Sequence, residues 1–306
     1  MPIGSLDVIN NFPYQDIRDY YAKWYRPDLQ GIMIVGDINV DEMEAKLKKV
    51  FADVKAPVHP ANRIYYPVAD NQEPLIFIGT DKEIETPSIS FFFKSEAFPD
   101  SLKNTINYYG IQYMLSMGIS MLNSRLAEIR QQADPPFTGA SAGYGDFFVA
   151  KTKSAFGIDA SSKIGGIELA MKTILEEAER ARRFGFTETE YDRARANYLQ
   201  RVESAYNERE KMKNDTYVNE YISNFLDNEP MPGIEYEYAM MNKLAPNIPV
   251  TAINQVMQQL ITDNNQVVLL AGPEKEGLKY PTKEEITALL KLSLIHISEP
   301  TRPEPI

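Results

Sequence analysis

Apolar residues recur at helical spacing over Tyr14–Tyr25, which places Ile17, Tyr20, Tyr21 and Trp24 on one face and leaves Pro13 where its missing N–H costs little. Pro27 biases Arg26 away from the α region, so this helix ends before "RPD". The apolar run "GIMIVGD" then predicts a buried strand closed by Gly36. Asn39, with Glu42 three residues on, predicts a capping box for a helix over Val40–Phe51. The opening unit is expected to run helix, strand, turn, helix.

Four prolines between Pro57 and Pro74 interrupt any sustained period, and residues 57–73 are expected to form a linker. Beyond it, "LIFIGT" and "PSISFFFKSEA" predict strands, the second alternating as a half-buried strand does. A long helix is expected over Ser101–Gln132, with Tyr109, Tyr113, Met117 and Met121 as a core stripe. "FTGASAGYGDFFVAKTKSAFGIDASS" predicts a hairpin turning near Ala150–Lys153. A helix over Ile164–Arg183 follows, and Thr187 with Glu190 caps another whose Tyr191, Ala194, Tyr198 and Val202 face the core. Helices over Ile234–Leu244 and Val250–Leu260 lead to a last strand, "QVVLLAG". Strands and helices come in blocks rather than in strict alternation. The expected fold class is α+β, a mixed or antiparallel sheet with helices packed on one face.

The length of 306 residues suits about two domains. A net charge of −11 opposes the basic field that phosphate binding requires, so nucleic acid is not an expected partner. The absence of cysteine removes disulfides, thiolate metal sites and cysteine nucleophiles, and fits a reducing cytosol or a bacterial envelope, with the cell envelope or periplasm preferred over cytoplasm. No apolar run reaches the ~18 residues of a membrane span, and "MPIGSLDVIN" lacks a signal sequence's basic and apolar regions. Met1 is read as an internal methionine, because Asn11–Arg26 already has the pattern of the interior of a folded unit.

Chemistry-bearing patterns are few. His59 and His296 are the two histidines, so no pair at i, i+4 can hold a metal on a helix. Asp37, Asn39 and Asp41 mimic calcium-loop spacing, but Glu42 stands where Gly is needed and Lys48 where Glu is needed; capping explains the cluster instead. "GASAG", Gly139–Gly143, matches a nucleophile-elbow pattern around Ser141, yet a strand pattern follows where a helix must start, and only His296 follows as a base. A small-residue strand closely overlain by a helix is the preferred reading. The charge runs Glu176–Arg180 and Asn207–Asp215 are expected to be solvated helix faces, and Asn214-Asp215-Thr216 forms a glycosylation sequon. There is no Walker sequence and no Gly-x-Gly-x-x-Gly.

Three runs carry a family likeness. "PIGSLDVINNF", then "YYAKWYRPDLQGIMIVGDINVDEMEAKLKKVFADV", then "FTETEYDRARANYLQ" resemble, in the same order, segments of the insulinase/pitrilysin family of zinc metallopeptidases. The likeness covers about Pro2 to Leu290. It implies the C-terminal part of a catalytic-type domain over 1–56, a linker over 57–73, and a complete second, non-catalytic copy of the same insulinase-type fold over 74–291. Residues 292–306, "LSLIHISEPTRPEPI" after Lys291, depart from the pattern and are read as a non-native tail.

In that family an inverted His-x-x-Glu-His helix and a distal Glu hold zinc, and the motif's Glu activates water. No position here matches. The resemblance therefore implies zinc and peptide substrates in the parent protein, none of the metal ligands in this chain, and a wall or scaffold role beside the remaining peptidase domains. No catalytic or metal-binding residue is assigned, substrate-binding residues stay unassigned, and the chain alone is expected to be inactive. The family's last domain supplies an Arg and, seven residues later, a Tyr at the tetrahedral intermediate; Arg125 stands in the Arg place, with Gln132 where Tyr would be. That departure points to salt bridging or capping for Arg125. The alternative class is a non-catalytic insulinase-like subunit, or a structural or peptide-binding protein.

Overall fold

The computed structural model describes residues 4–292; His296 and the expected tail beyond Leu292 lie outside them. In chain order the elements are α1 (Leu6–Asn11), α2 (Tyr14–Trp24), α3 (Val40–Val50), β1 (Leu75–Asp81), β2 (Ser88–Glu96), α4 (Ile106–Arg130), β3 (Gly139–Phe147), β4 (Ala150–Ser161), α5 (Ile167–Phe184), α6 (Glu188–Asn207), α7 (Asn214–Asp227), α8 (Ile234–Leu244), α9 (Val250–Leu260), β5 (Gln266–Pro273) and α10 (Lys283–Leu292). They fall into two units. One comprises the chain up to Ile64 together with Glu210–Met231; the other comprises Tyr65–Arg209 and the chain from Pro232 onward. Helix α7 therefore groups with the first unit.

The second unit is built on one mixed sheet of order β1-β5-β2-β4-β3. β1 and β5 run parallel, and the other pairs are antiparallel. Alternation in β2 sends Ile89, Phe91 and Phe93 to one face, where Phe156 and Ile158 of β4 and Val268 and Leu270 of β5 join them. Helices α4, α5 and α9 supply the opposing layer, with Tyr113, Met117, Met121, Met171, Ile174, Ile253 and Met257 all buried in a single cluster. This is the expected α+β class, a mixed sheet with helices on one face. Each such aliphatic or aromatic side chain contributes about 1.5–3 kcal/mol on burial. Tyr109 of the expected stripe is half-buried; Tyr108 takes the buried place.

Local signals explain the helix starts. Thr105 accepts from the Tyr108 N–H at α4, and at α6 Thr187 and Glu190 form the complete reciprocal box. Asn39 accepts from the Glu42 N–H at α3. A chain of hydroxyls joins α4, α6 and the connection between α8 and α9: the Tyr113 hydroxyl donates to Tyr191 Oη at 3.0 Å, and Tyr191 donates to the carbonyl of Ile248 at 2.8 Å. Burial pushes the Tyr113 phenol above its ordinary range, and pushes Tyr198 beside it up to about 12.

In the first unit the predicted strand over Gly31–Asp37 does not form. A strand needs a ladder partner, and no strand lies in this unit among the described residues. Phe225 of α7 lies over Gly31 instead, at 3.2 Å from where a Cβ would stand. Ile17, Tyr20, Tyr21, Ile32 and Ile34 are exposed, and Trp24 is half-buried.

Residues 57–73 contain no helix or strand, but their second half is tied down. The Thr152 hydroxyl donates to the Tyr66 carbonyl (3.2 Å) and accepts from the Val68 N–H (3.3 Å), Lys94 Nζ donates to the Ala69 carbonyl (2.5 Å), and Asn71 exchanges bonds with Asn265. Lys153 bridges Asp70, at 2.8 Å, and Glu96. The hydrogen bond from Lys153 holds the Asp70 carboxyl below its ordinary value, and the same bond raises the Lys153 ammonium. The depressed carboxylate contributes its hold above the ordinary carboxylate range and loses it as pH falls through the lowered value; the raised ammonium loses its hold only as pH climbs past its own raised value. Amide exchange at Val68 and Asn71, corrected for intrinsic rates, should therefore speed up below about pH 4 while core amides of β2 stay protected. Equal acid sensitivity in both regions would sink this assignment.

Candidate functional site

A groove of about 710 Å³ opens in the second unit between α4 and β3, lined by Gln112, Ser116, Ser120, Asn123, Ser124 and Tyr144 among others. The small hydroxyl side chains in its lining follow from α4 itself. Residues facing the sheet are large and apolar, while those turned toward the groove repeat as Ser116, Ser120 and Ser124, one per helical turn. Asn123 Oδ1 accepts from the Ala142 N–H at 2.7 Å, and its Nδ2 donates to the Ala142 carbonyl at 3.0 Å. No cluster of three or more His, Asp or Glu side chains able to hold a metal occurs among the described residues.

Arg125 is built into the core. Its Nε and Nη2 donate to the two oxygens of Glu190 at 2.7 and 2.9 Å, and Nη2 also donates to the Gly185 carbonyl at 2.9 Å. The guanidinium lies 4.5 Å from the centroid of the Phe186 ring. With Arg125 only 1% exposed, this group cannot reach a ligand in solvent. It joins α4 to the α5–α6 junction and helps orient the Glu190 that caps α6.

The remaining candidates separate. Asp37, Asn39 and Asp41 are exposed around the start of α3, where Asn39 serves as cap; Glu42 and Lys48 are exposed along the same helix. His59 is exposed in the loop before Ile64. "GASAG" continues as strand β3, with Ser141 opposite Asp159 of β4. Helix α4 packs against this strand, as expected, at Ala140, Ala142 and Tyr144, but not over its glycines: a Cβ at Gly139, Gly143 or Gly145 would meet nothing within 4 Å. Strand alternation is the cause, since Ala140, Ala142 and Tyr144 face the helices and the glycines face the opposite side.

Glu176–Arg180 is likewise not a solvated face throughout. Glu177 and Glu179 are buried on α5 and paired, Glu177 with Arg180, and Glu179 with Arg182 (3.1 Å) and Arg183 (3.2 Å). Arg182 continues to Asp263 at 2.5 Å, and that bond holds the Asp263 carboxyl below its ordinary value. A run of alternating charge fits both a wet face and an ion-paired seam, and only tertiary neighbours decide between them. Asn207–Asp215 stays largely at the surface, with Arg209 stacked 4.3 Å from the Tyr206 ring, and Asn214-Asp215-Thr216 opens α7. The clasp of Asn123 on Ala142 was missed. No local pattern signals it, because its partners lie 19 residues apart on different elements.

The sheet order and helix layer are those of an insulinase-type α+β domain. Residues 11–198 match the peptidase M16 inactive domain, and the chain belongs to that family. It is 27% identical over 275 residues to a zinc protease PQQL-like protein of Arabidopsis thaliana, covering 90% of this chain and 25% of that protein. The crystal structure of the periplasmic protease PqqL from Escherichia coli superposes with a TM-score of 0.83 at 21% identity, over 100% of this chain and 33% of that one. An insulinase-family protease from Yersinia pestis gives a TM-score of 0.73 at 12% identity, over 92% of this chain and 59% of that one. The chain spans about a quarter of the length of the curated relatives that it matches along most of its own length, 25% and 27% of two of them.

Proposed function

We propose that this chain is part of a zinc-dependent metalloendopeptidase, in which residues 74–291 form the second, non-catalytic domain, walling the peptide chamber and supporting the catalytic one. Residues 1–56 are the closing part of the catalytic-type domain, and 57–73 connect the two. The match of residues 11–198 to the inactive domain of the family carries this reading. The unpaired segment Gly31–Asp37, with Ile32 and Ile34 exposed, supports it as a strand whose sheet partners belong elsewhere in the parent protein.

Zinc does not fit here. Among the described residues no three His, Asp or Glu side chains lie together to hold a metal, and His59 has there no second imidazole or acid cluster to complete a ligand set. Metal, water activation and peptide cleavage are assigned to the parent's other residues. Peptides are the substrates, the remaining peptidase domains the partners, and the periplasm or cell envelope the compartment, as for the Escherichia coli relative described as periplasmic. No helix among the described residues is long and apolar enough to cross a membrane.

The test extends the protein upstream with the coding sequence of its own genome. The extended protein is expected to cleave a quenched peptide in a chelator-sensitive manner, and the 306-residue chain to neither cleave it nor bind stoichiometric zinc. Upstream sequence lacking His-x-x-Glu-His, or zinc-dependent turnover by the chain alone, would overturn the reading.

A further inference from the structure

Among the described residues β3 pairs only with β4 and so forms one edge of the sheet. In an antiparallel pair alternate residues turn both backbone groups outward, and such a row is a ready template for a further strand. Proteins blunt exposed edges with Lys, Pro or bulges. β3, "GASAGYGDF", has no Lys and no Pro, and its one irregularity falls at Asp146/Phe147, near its end. Its middle should therefore be open to pairing, the more so because the Ser-lined groove beside it leaves about 710 Å³ of space.

One residue changes this. Ala142, opposite Ile158, points its N–H and carbonyl outward, and Asn123 of α4 meets both, at 2.7 and 3.0 Å. A planar carboxamide offers one acceptor and one donor side by side, as does the backbone of a neighbouring strand. Asn123 thus reproduces, from a helix, the pair of bonds that an added strand would make. By the same alternation Ala140 and Tyr144 also turn outward, so an incoming strand pairing along β3 must displace the amide at the centre.

We propose that Asn123 acts as a surrogate strand residue, an autoinhibitory cap that keeps the β3 edge from taking another strand. The cap does not depend on the peptidase reading. It explains how the second unit can carry an edge without Lys or Pro and yet not pair through it with a second copy of itself.

The test compares the full chain with Asn123→Ala by hydrogen exchange and sedimentation velocity. In the variant the Ala142 amide should exchange about tenfold faster, the loss of one hydrogen bond's worth of protection. A concentration-dependent dimer should also appear relative to wild type. Adding Ala140→Pro, which removes an outward N–H without touching the β4 ladder, should abolish the dimer. Should Asn123→Ala fail to fold, Asn123→Leu keeps the side-chain volume and removes both the acceptor and the donor, and the same readouts apply. Unchanged exchange at Ala142, faster exchange with no association, or a dimer that survives Ala140→Pro would each overturn the proposal.

Discussion

Arg125→Ala lowers the stability of the second unit by about 3–5 kcal/mol, the cost of leaving a buried charge without its partner. The substitution strands the Glu190 carboxylate, which is 10% exposed as a side chain and now receives two hydrogen bonds from Arg125. It also removes the donor to the Gly185 carbonyl and the cation resting against Phe186. Lysine is no substitute, because a single ammonium cannot span two carboxylate oxygens and a carbonyl in one plane. Glu190 retains its capping bonds to Thr187, so Glu190→Ala should cost the cap as well, and the double variant should fall well short of the sum of the singles. Urea midpoints for the four proteins decide this. A loss below about 1 kcal/mol for Arg125→Ala would mean that the pair is wet in solution and worth no more than a surface ion pair.

The fold class was legible because its signals are local or periodic. Thr187 with Glu190 announced α6, the alternation of "SISFFFK" announced β2, and α8 and α9 begin and end at the residues that pattern and turn chemistry marked. Partnership was not legible. "GIMIVGD" has the apolar run of a strand but finds no ladder among the described residues, and "EEAER" has the pattern of a wet surface but is sewn to Arg180, Arg182 and Arg183. The hairpin turn was placed a few residues late, because Phe148 and Val149 fill a loop where Gly or Asn is customary; Phe148 adopts a φ of 55° there. Helices α7 and α10 form where the sequence pattern marks no element. For the site, the ordered motifs carried the family but no ligand, and the two polar devices of the second unit, Arg125–Glu190 and Asn123–Ala142, join elements that no short window contains.

The second large effect is expected at Gly185, which ends α5 with φ 69° and ψ −152°. That combination lies in a region open to glycine and nearly closed to any residue with a Cβ, at a backbone cost of about 1–3 kcal/mol. Space compounds the strain. A Cβ at this position would stand 2.3 Å from Cγ of Asn254. Asn254 accepts from the Phe186 N–H at 2.8 Å and donates to the Phe186 carbonyl at 3.1 Å, so it cannot retreat without leaving two groups of a buried residue unpaired. Each such group adds about 1–3 kcal/mol, which brings Gly185→Ala to roughly 3 kcal/mol or more. Gly165→Ala isolates the backbone part: its φ is also positive, at 81°, but a Cβ there would meet nothing within 4 Å, so about 1 kcal/mol is expected. Denaturant midpoints at unchanged m should therefore fall much further for Gly185→Ala than for Gly165→Ala, and Phe186 amide exchange should rise only in the former. Equal losses at the two positions would show that Asn254 yields freely, and that the junction carrying the Arg125 acceptor is held by backbone conformation alone.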